Sequence, residues 1–319
     1  MDPRHLVQLA SILEHGSISG ASRHLHLSQP TLTHNMQTLE MQAGGKLFER
    51  SRFGVRSTVL GDMLAREGRA IARRLSDAAA VSTRHRGGVQ GTLRLGTGPL
   101  VGAAFVPGLA EHLLQRHPGR HLTLQSDRPH VLVEQLVDGR HDLVIAPSWL
   151  SQPPPGIERF VLVEDELGVF CGNGHVCARS GSLTAHNGAG HDWISLGATS
   201  PFDQPVRDML EEAGVAAPRT EITILGEAFV LLRLLALGRH LAVLPRFPMQ
   251  LLRPYFPIVE LTLSVTPQAR PIYLWCRATL LEDPAMVAAK DSILAYARRT
   301  EPSKPGARAR RTPAPSRSG

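Results

Sequence analysis

The sequence is poor in cysteine, in aromatic residues and in long apolar runs, and each shortage closes off a class of protein. Three cysteines in 319 residues cannot build a disulfide framework, and such a chain suits a reducing compartment. Cys171 and Cys177 bracket His175, but two thiols and one imidazole lack a fourth ligand. These residues, like Cys276, read as small buried groups on and after strands, and no metal or cofactor is expected. No run approaches the ~20 apolar residues of a membrane span; the strongest, Ala228 to Leu237, is broken by Arg233 and followed by Gly238. Met1-Asp2-Pro3-Arg4-His5 lacks the charged-then-apolar layout of a secretory signal. A cytoplasmic protein without membrane contact is the expectation. Hydrophobic residues at 42% and charged residues at 20% suffice for a sizeable core, and the length suits two or three domains.

What is present is unevenly placed charge. Residues 1–90 carry 12 Arg and Lys against 7 Asp and Glu, net +5; residues 91–299 are net −2 and residues 300–319 net +4. A basic amino-terminal block on a slightly acidic body points to a polyanion bound at one end.

The first segment reads as a helix with Leu6, Leu9 and Leu13 at three- and four-residue spacing, stopped by His15-Gly16-Ser17. A short second helix starts at Ser17 or Ser19 and turns inward Ala21 and Leu25; His26-Leu27-Ser28 is the turn. A third begins with Ser28 as cap and Pro30 in its first turn, burying Leu32, Met36 and Leu39. Lys46 to Arg56 reads as a hairpin turning at Arg52-Phe53-Gly54. From Thr58 a long helix carries Leu60, Leu64, Ile71, Leu75 and Ala79 in one stripe and stops at Gly87-Gly88. That stripe is more than one small domain covers beyond its beginning, so a twin helix from a second subunit is expected to complete it.

At Gly91 the texture changes to strands alternating with helices. The reading runs Thr92–Leu95, a helix Leu100–Gln115, His121–Gln125, a helix Val131–Val137 and Asp142–Ala146. It resumes with Leu167–Cys171, Trp193–Leu196, a helix Val206–Ala213, Glu221–Leu225, a helix Ala228–Leu237, Leu241–Leu244, Pro271–Arg277 and a last helix Pro284–Arg299. Such alternation predicts α/β layers with a mostly parallel sheet. From Thr300 the chain is rich in Pro, Ser, Ala and Arg without periodicity and reads as a disordered basic tail.

Helix, tight turn, helix with a polar outer face is the helix-turn-helix arrangement, whose second helix enters the major groove. Opposite the apolar face of the third helix lie Gln29, Pro30, Thr33, His34 and Gln37. Gln29 and Gln37 can pair with adenine edges and Thr33 can donate or accept. Arg50, Arg52 and Arg56 of the hairpin suit phosphates beside the groove.

The run from Gly16 to Thr33, with Leu27-Ser28-Gln29-Pro30-Thr31 at its heart, then Leu39-Glu40, Leu47-Phe48-Glu49-Arg50 and Thr58-Val59-Leu60-Gly61, resembles the LysR-type transcriptional regulators. Asp142 to Ile145, Glu211 to Gly214 and Leu237 to Pro245 look like that family's recurrent segments in the carboxyl-terminal part. The departures are Gly20 in place of an alanine, Thr33 in place of a serine, and Ala43-Gly44-Gly45 in place of a Leu-Gly turn. The resemblance implies a mixed α+β and α/β multidomain chain. It would comprise a winged helix-turn-helix over 1–58, with the helix-turn-helix at about 18–37, and a dimerising linker helix over 59–88. An effector-binding domain like those of periplasmic binding proteins would follow over 91–299. Its subdomain I is 91–163 with 267–299 and its subdomain II is 164–266, leaving the tail 300–319. It further implies binding of double-stranded promoter or operator DNA through Ser28, Gln29, Pro30, Thr31, Thr33, His34, Gln37 and the three arginines. Assembly as a homodimer or homotetramer, contact with RNA polymerase, and a small-molecule effector between the subdomains complete the expectation. Thr97, Gly98, Pro99, Leu100, Ser126, Asp127, Ala146, Pro147, Thr199, Ser200, Pro201, Phe202 and Thr223 are the effector candidates. The strand-to-helix turn at Thr97–Leu100 would suit an anionic group.

A rival reading comes from the same turn. Gly96-Thr97-Gly98-Pro99-Leu100-Val101-Gly102 follows a strand and opens a helix, with Asp127 at the end of the next strand, close to a dinucleotide fingerprint. A nicotinamide-dependent oxidoreductase is therefore the alternative. Its glycines are spaced GxGxxxG, and no Ser-Tyr-Lys or His-Asp set stands out downstream.

Overall fold

The computed structural model describes residues 1–51, 54–85, 91–184, 190–197, 203–215 and 219–300. The expected hairpin tip at Arg52-Phe53, the helix stop at Gly87-Gly88 and the tail beyond Thr300 lie outside them. The chain divides into two compact units, one of residues 1–102, 110–160 and 273–290, the other of residues 103–109, 161–272 and 291 onward.

The first unit opens with α1 (Pro3–His15), α2 (Ile18–His24) and α3 (Gln29–Ala43), followed by strands β1 (Phe48–Ser51) and β2 (Gly54–Ser57) and the long α4 (Val59–His85). Side-chain oxygens of Asp2, Ser17 and Ser28 accept the free amides that start the three short helices, the service an N-cap performs. Leu9, Ile12, Ala21, Leu32, Met36, Leu39 and Leu47 bury together beneath them, each large side chain contributing about 1.5–3 kcal/mol by burial.

The long helix departs from its reading. Leu60, Leu64 and Ile71 pack on this same core, and α1 lies along α4. The cause is a pair of glycines one heptad apart. A Cβ at Gly61 would stand 1.8 Å from the Leu47 carbonyl oxygen, and one at Gly68 would stand 2.0 Å from that of Leu6. With no side chain in the way, the wing and α1 reach the helix backbone and cover the stripe as far as Ile71. Leu75 is 63% exposed and Val59 and Met63 are open as well.

A sheet ordered β4-β3-β5-β12-β6 follows, from β3 (Leu93–Thr97), β4 (Leu122–Ser126), β5 (Leu143–Pro147), β6 (Ile157–Val163) and β12 (Ile272–Arg277). Here the expected single helix after β3 is two, α5 (Pro99–Ala104) and α6 (Val106–Arg116). Pro107 lacks the amide that would continue α5 and its ring crowds the preceding turn. Next comes α7 (Pro129–Val137). The core here gathers Leu132, Leu136, Val144, Ile157 and Trp275, and the Trp275 indole N–H donates to the Ala146 carbonyl at 2.9 Å. Asp142 accepts from the Arg94 backbone amide and, twice, from its guanidinium at 2.8–3.2 Å.

The second unit holds β7 (Leu167–Gly172), α8 (Val176–Ser180), β8 (Asp192–Ser195), α9 (Asp203–Glu212), β9 (Arg219–Thr223), α10 (Ala228–Ala236), β10 (His240–Pro245), α11 (Arg246–Leu252) and β11 (Ile258–Leu261). Its sheet runs β11-β7-β10-β8-β9. β10, β8 and β9 are parallel, whereas β7 lies antiparallel to both β10 and β11, so this sheet is mixed rather than mostly parallel. The sequence reading also passes over β6, α8, α11 and β11. From Pro284 to Thr300 runs α12, whose Tyr296 ring packs on Phe105 at 5.2 Å.

Candidate nucleic-acid interface and effector site

α3 turns a polar face outward. Leu32, Met36 and Leu39 bury, while Ser28, Gln29, Pro30, Thr31, His34 and Gln37 are exposed and Thr33 is half-buried. Ser28 accepts from the Thr31 amide at 3.2 Å, and the two hydroxyls meet at 2.7 Å. Those two side chains are therefore engaged in starting the helix, whereas Gln29, His34 and Gln37 turn exposed side chains outward on the same face.

The wing is pinned beside this helix. The Val55 amide donates to the Gly16 carbonyl at 2.8 Å; Gly54, at φ 118°, sits so close that a Cβ there would stand 2.6 Å from the same oxygen. Arg56 is exposed on β2 and pairs across the hairpin with Glu49. Arg50 lies on β1 opposite Val55, and Arg52 lies outside the described residues. Glu40, read from the sequence only as part of a motif, proves to be the clamp between α3 and the wing. It accepts from Lys46 Nζ at 2.8 Å and from the Leu47 amide at 3.1 Å. Thr58 then receives the chain, its hydroxyl donating to the Lys46 carbonyl at 2.8 Å and accepting from the Gly61 amide at 3.0 Å.

The effector candidates of the first unit converge at the carboxyl ends of β3, β4 and β5. β3 pairs in parallel with both neighbours while the chain order is β3, β4, β5, so the reversal falls at β3, the place where open α/β sheets bind ligands. The Gly98 amide donates to the Ile145 carbonyl at 3.2 Å and the Asp127 amide to the Thr97 carbonyl at 3.2 Å, drawing the three strand ends together. A Cβ at Gly102 would meet Thr97 Oγ1 at 2.7 Å and Ser126 Oγ at 3.9 Å, so these two hydroxyls flank one point. Ser126 is exposed, Pro99 and Asp127 are half-buried, and Thr97, Gly98, Leu100, Ala146 and Pro147 are buried. Asp127 turns its carboxylate onto the next amide, Arg128, at 2.7 Å.

Sequence reasoning missed the loop after β5. Arg159 donates to Ser148 Oγ and the Leu150 carbonyl, both at 2.7 Å, and lies over the Tyr273 ring at 4.8 Å. His130, in the first turn of α7, meets Trp149 edge-on at 6.4 Å. No local pattern ties Arg159 to Tyr273, which are brought together by the sheet. In the second unit Thr223 ends β9, exposed and paired with Ser195; Thr199, Ser200, Pro201 and Phe202 lie outside the described residues.

At its other end α7 reaches α4. Asp138, its C-cap, accepts from Arg69 Nε of α4 at 3.2 Å, both side chains about one-fifth exposed. The cysteines belong to the cores. The Cys177 amide donates to His175 Nδ1 at 3.1 Å, and burial pushes the Cys171 thiol up to about 11. Among the described residues no group of His, Cys, Asp or Glu could hold a metal ion, and no helix is long and apolar enough to cross a membrane.

A Cβ at Gly96 would meet the His141 and Leu132 side chains at 2.8–2.9 Å, so Gly96 and Gly102 serve internal packing. Residues 3–62 match the model of the bacterial regulatory helix-turn-helix proteins of the lysR family, and residues 86–298 match the LysR substrate binding domain. The chain is 27% identical over 227 residues to the HTH-type transcriptional regulator GbpR of Rhizobium radiobacter, covering 68% of this chain and 73% of that one. It is 30% identical over 210 residues to the transcriptional activator protein LysR of Escherichia coli K12, covering 66% and 67%. Full-length CbnR in complex with its target DNA shares the fold, with a TM-score of 0.61 and 21% identity over 94% of this chain and 100% of that one. Its relatives are regulators, which overturns the oxidoreductase alternative. The chain belongs to the LysR family of DNA-binding, effector-responsive transcriptional regulators.

Proposed function

We propose that residues 1–58 dock on operator DNA, with α3 in the major groove and the wing arginines Arg50, Arg52 and Arg56 on flanking phosphates. Gln29, Thr33, His34 and Gln37 read base edges, while Ser28, Pro30 and Thr31 set the helix start against the backbone. The exposed polar face of α3 beside a wing pinned to Gly16 is the observation that carries this reading. Residues 59–88 form the linker helix, 91–163 with 267–299 and 164–266 the two effector subdomains, and 300–319 a basic tail. The working form is a homodimer or homotetramer in the cytoplasm, acting on transcription through contact with RNA polymerase.

The small-molecule effector meets Thr97, Gly98, Pro99, Leu100, Ser126, Asp127, Ala146 and Pro147. Ala146 is fully buried and its carbonyl accepts from the Trp275 indole, so it shapes the floor of the cradle. Thr199 to Phe202 and Thr223 remain in the reading on the family resemblance alone. The α5 amino terminus and Arg128 favour an anionic group on the effector. α7 relays occupancy: its first turn borders the candidate cradle, and Asp138 at its far end holds Arg69 of the linker helix. Such a ligand changes DNA binding only by its difference in affinity between two states of the protein. A thermal-shift screen of organic acids tests it. A hit whose protection disappears in Thr97→Val with Ser126→Ala supports the site, and a hit indifferent to both changes places the effector elsewhere.

A further inference from the structure

The placement of α3 depends on more than its buried stripe. Leu32, Met36 and Leu39 hold the helix down on the domain core. Apolar burial is non-directional, so it fixes the rotation of a helix about its own axis only loosely. Rotation matters here, because side chains that read base edges must be held within about 0.5 Å and about 10–20° of their working geometry. At its start, Ser28 answers an amide of α3 itself. At its end, Glu40 ties the last turn to Lys46 and Leu47.

Between these two anchors stands Asn35, half-buried and next to His34. Its Nδ2 donates to Oε1 of Gln8, on α1, at 2.9 Å. The two amides are 27 residues apart in sequence, and no motif links them. α1 is a firm base for the tie. Leu6, Leu9 and Ile12 are buried, α1 lies along α4, and Gly68 has no Cβ to hold off the Leu6 carbonyl. Gln8, two residues beyond Leu6, is half-buried as well. A short bond between two partly buried amides is directional, and it favours one rotation of α3 over its neighbours.

We propose that Gln8 and Asn35 are positioning residues for sequence recognition: their hydrogen bond sets the rotation of α3 and thereby aligns Gln29, His34 and Gln37 with base edges. This role rests on the docking of α3 in the major groove. Neither residue has to touch DNA. The wing is held by Gly16 and Glu40 rather than by Asn35, so its phosphate contacts are spared when the bond is lost. The bond favours the reading orientation by no more than its own free energy, which for a typical protein hydrogen bond is about a two- to tenfold effect.

Fluorescence anisotropy of the full chain on its own promoter fragment and on a shuffled fragment tests it. Gln8→Leu removes the acceptor, keeps a good helix former, and should cut the preference for the promoter about fivefold. Affinity for the shuffled fragment and its salt slope should stay as they are. Gln8→Glu keeps the acceptor and should retain the preference. Asn35→Ala should match Gln8→Leu, and the double variant should lose no more than either change alone, as expected when both remove one interaction. Gln29→Ala reports on the docking itself. If it lowers the preference while Gln8→Leu does not, the positioning role is overturned and the docking stands. If neither lowers it, the docking falls and the positioning role with it. Equal weakening on both fragments, equal loss in Gln8→Glu, or additive losses in the double variant would each overturn the proposal.

Discussion

Asp165→Asn should make the protein more stable, and only at a pH where aspartate is ionised. Burial lifts this carboxyl from 3.8 to about 6, against the opposing pull of two backbone amides and Arg270. An acid raised on folding holds its proton more tightly in the native state, so ionising it there costs stability. The cost is absent below the unfolded value of 3.8, grows between 3.8 and about 6, and is constant above. Roughly two units at about 1.36 kcal/mol each amount to about 3 kcal/mol at pH 8. At pH 5 about half of that applies, and near pH 3.5 almost none. Asparagine keeps the oxygen that accepts from Phe247 and Glu166 and removes the charge. Urea unfolding followed by circular dichroism at pH 8, 5 and 3.5 reads the difference directly. An equal gain at all three values would assign the effect to packing. A loss at pH 8 would mean that Arg270 pairs productively with the carboxylate, and the reasoning from its burial would fail.

Other outcomes follow from particular contacts. Gly68→Ala places a methyl 2.0 Å from the Leu6 carbonyl oxygen and should cost about 1–3 kcal/mol of amino-terminal domain stability in thermal melts; an unchanged melt would contradict the close approach of α1. Leu64→Asp should unfold that same core, whereas Leu75→Asp should leave it folded and instead shift the sedimentation of the assembly towards monomer. An unchanged assembly with Leu75→Asp would remove that residue from the subunit contact. Cys171, Cys177 and Cys276 are buried with their thiols pushed up, Cys171 and Cys276 to about 11, so a disulfide reagent should react slowly until the chain is unfolded; fast native labelling would show that the cores open readily.

The amino-terminal elements were legible because their signals are local. Ser28 caps, Pro30 follows, and Leu32, Met36 and Leu39 recur at helical spacing, all within one stretch of chain. Where the decisive partner is distant, the sequence misleads. The stripe of α4 is plain, but that Gly61 and Gly68 let α1 and the wing cover it depends on backbone contacts with Leu47 and Leu6. The apolar run from Leu100 onward reads as one helix until Pro107 breaks it. α11 has seven residues and contains Pro248, too short and too interrupted for periodicity to register. In the effector turn the sequence placed Thr97 and Ser126 as candidates; that both hydroxyls flank Gly102 is a product of sheet order. Asp165 carries no motif at all, and its character comes from the elements folded around it.

DNA binding by the outer face of α3 is tested most directly by fluorescence anisotropy, with the protein's own promoter fragment and a shuffled fragment titrated over a salt series. Affinity for both should fall steeply with salt, the slope of log affinity against log salt approaching about −0.9 per phosphate neutralised. Arg56→Ala should weaken the two fragments alike, because a phosphate contact carries no sequence information. Gln29→Ala and His34→Ala should instead erode the preference for the promoter, by about 1–3 kcal/mol for a good bidentate contact. Preference unaltered by both recognition-helix changes, or binding indifferent to salt, would contradict the assignment of α3 to the major groove.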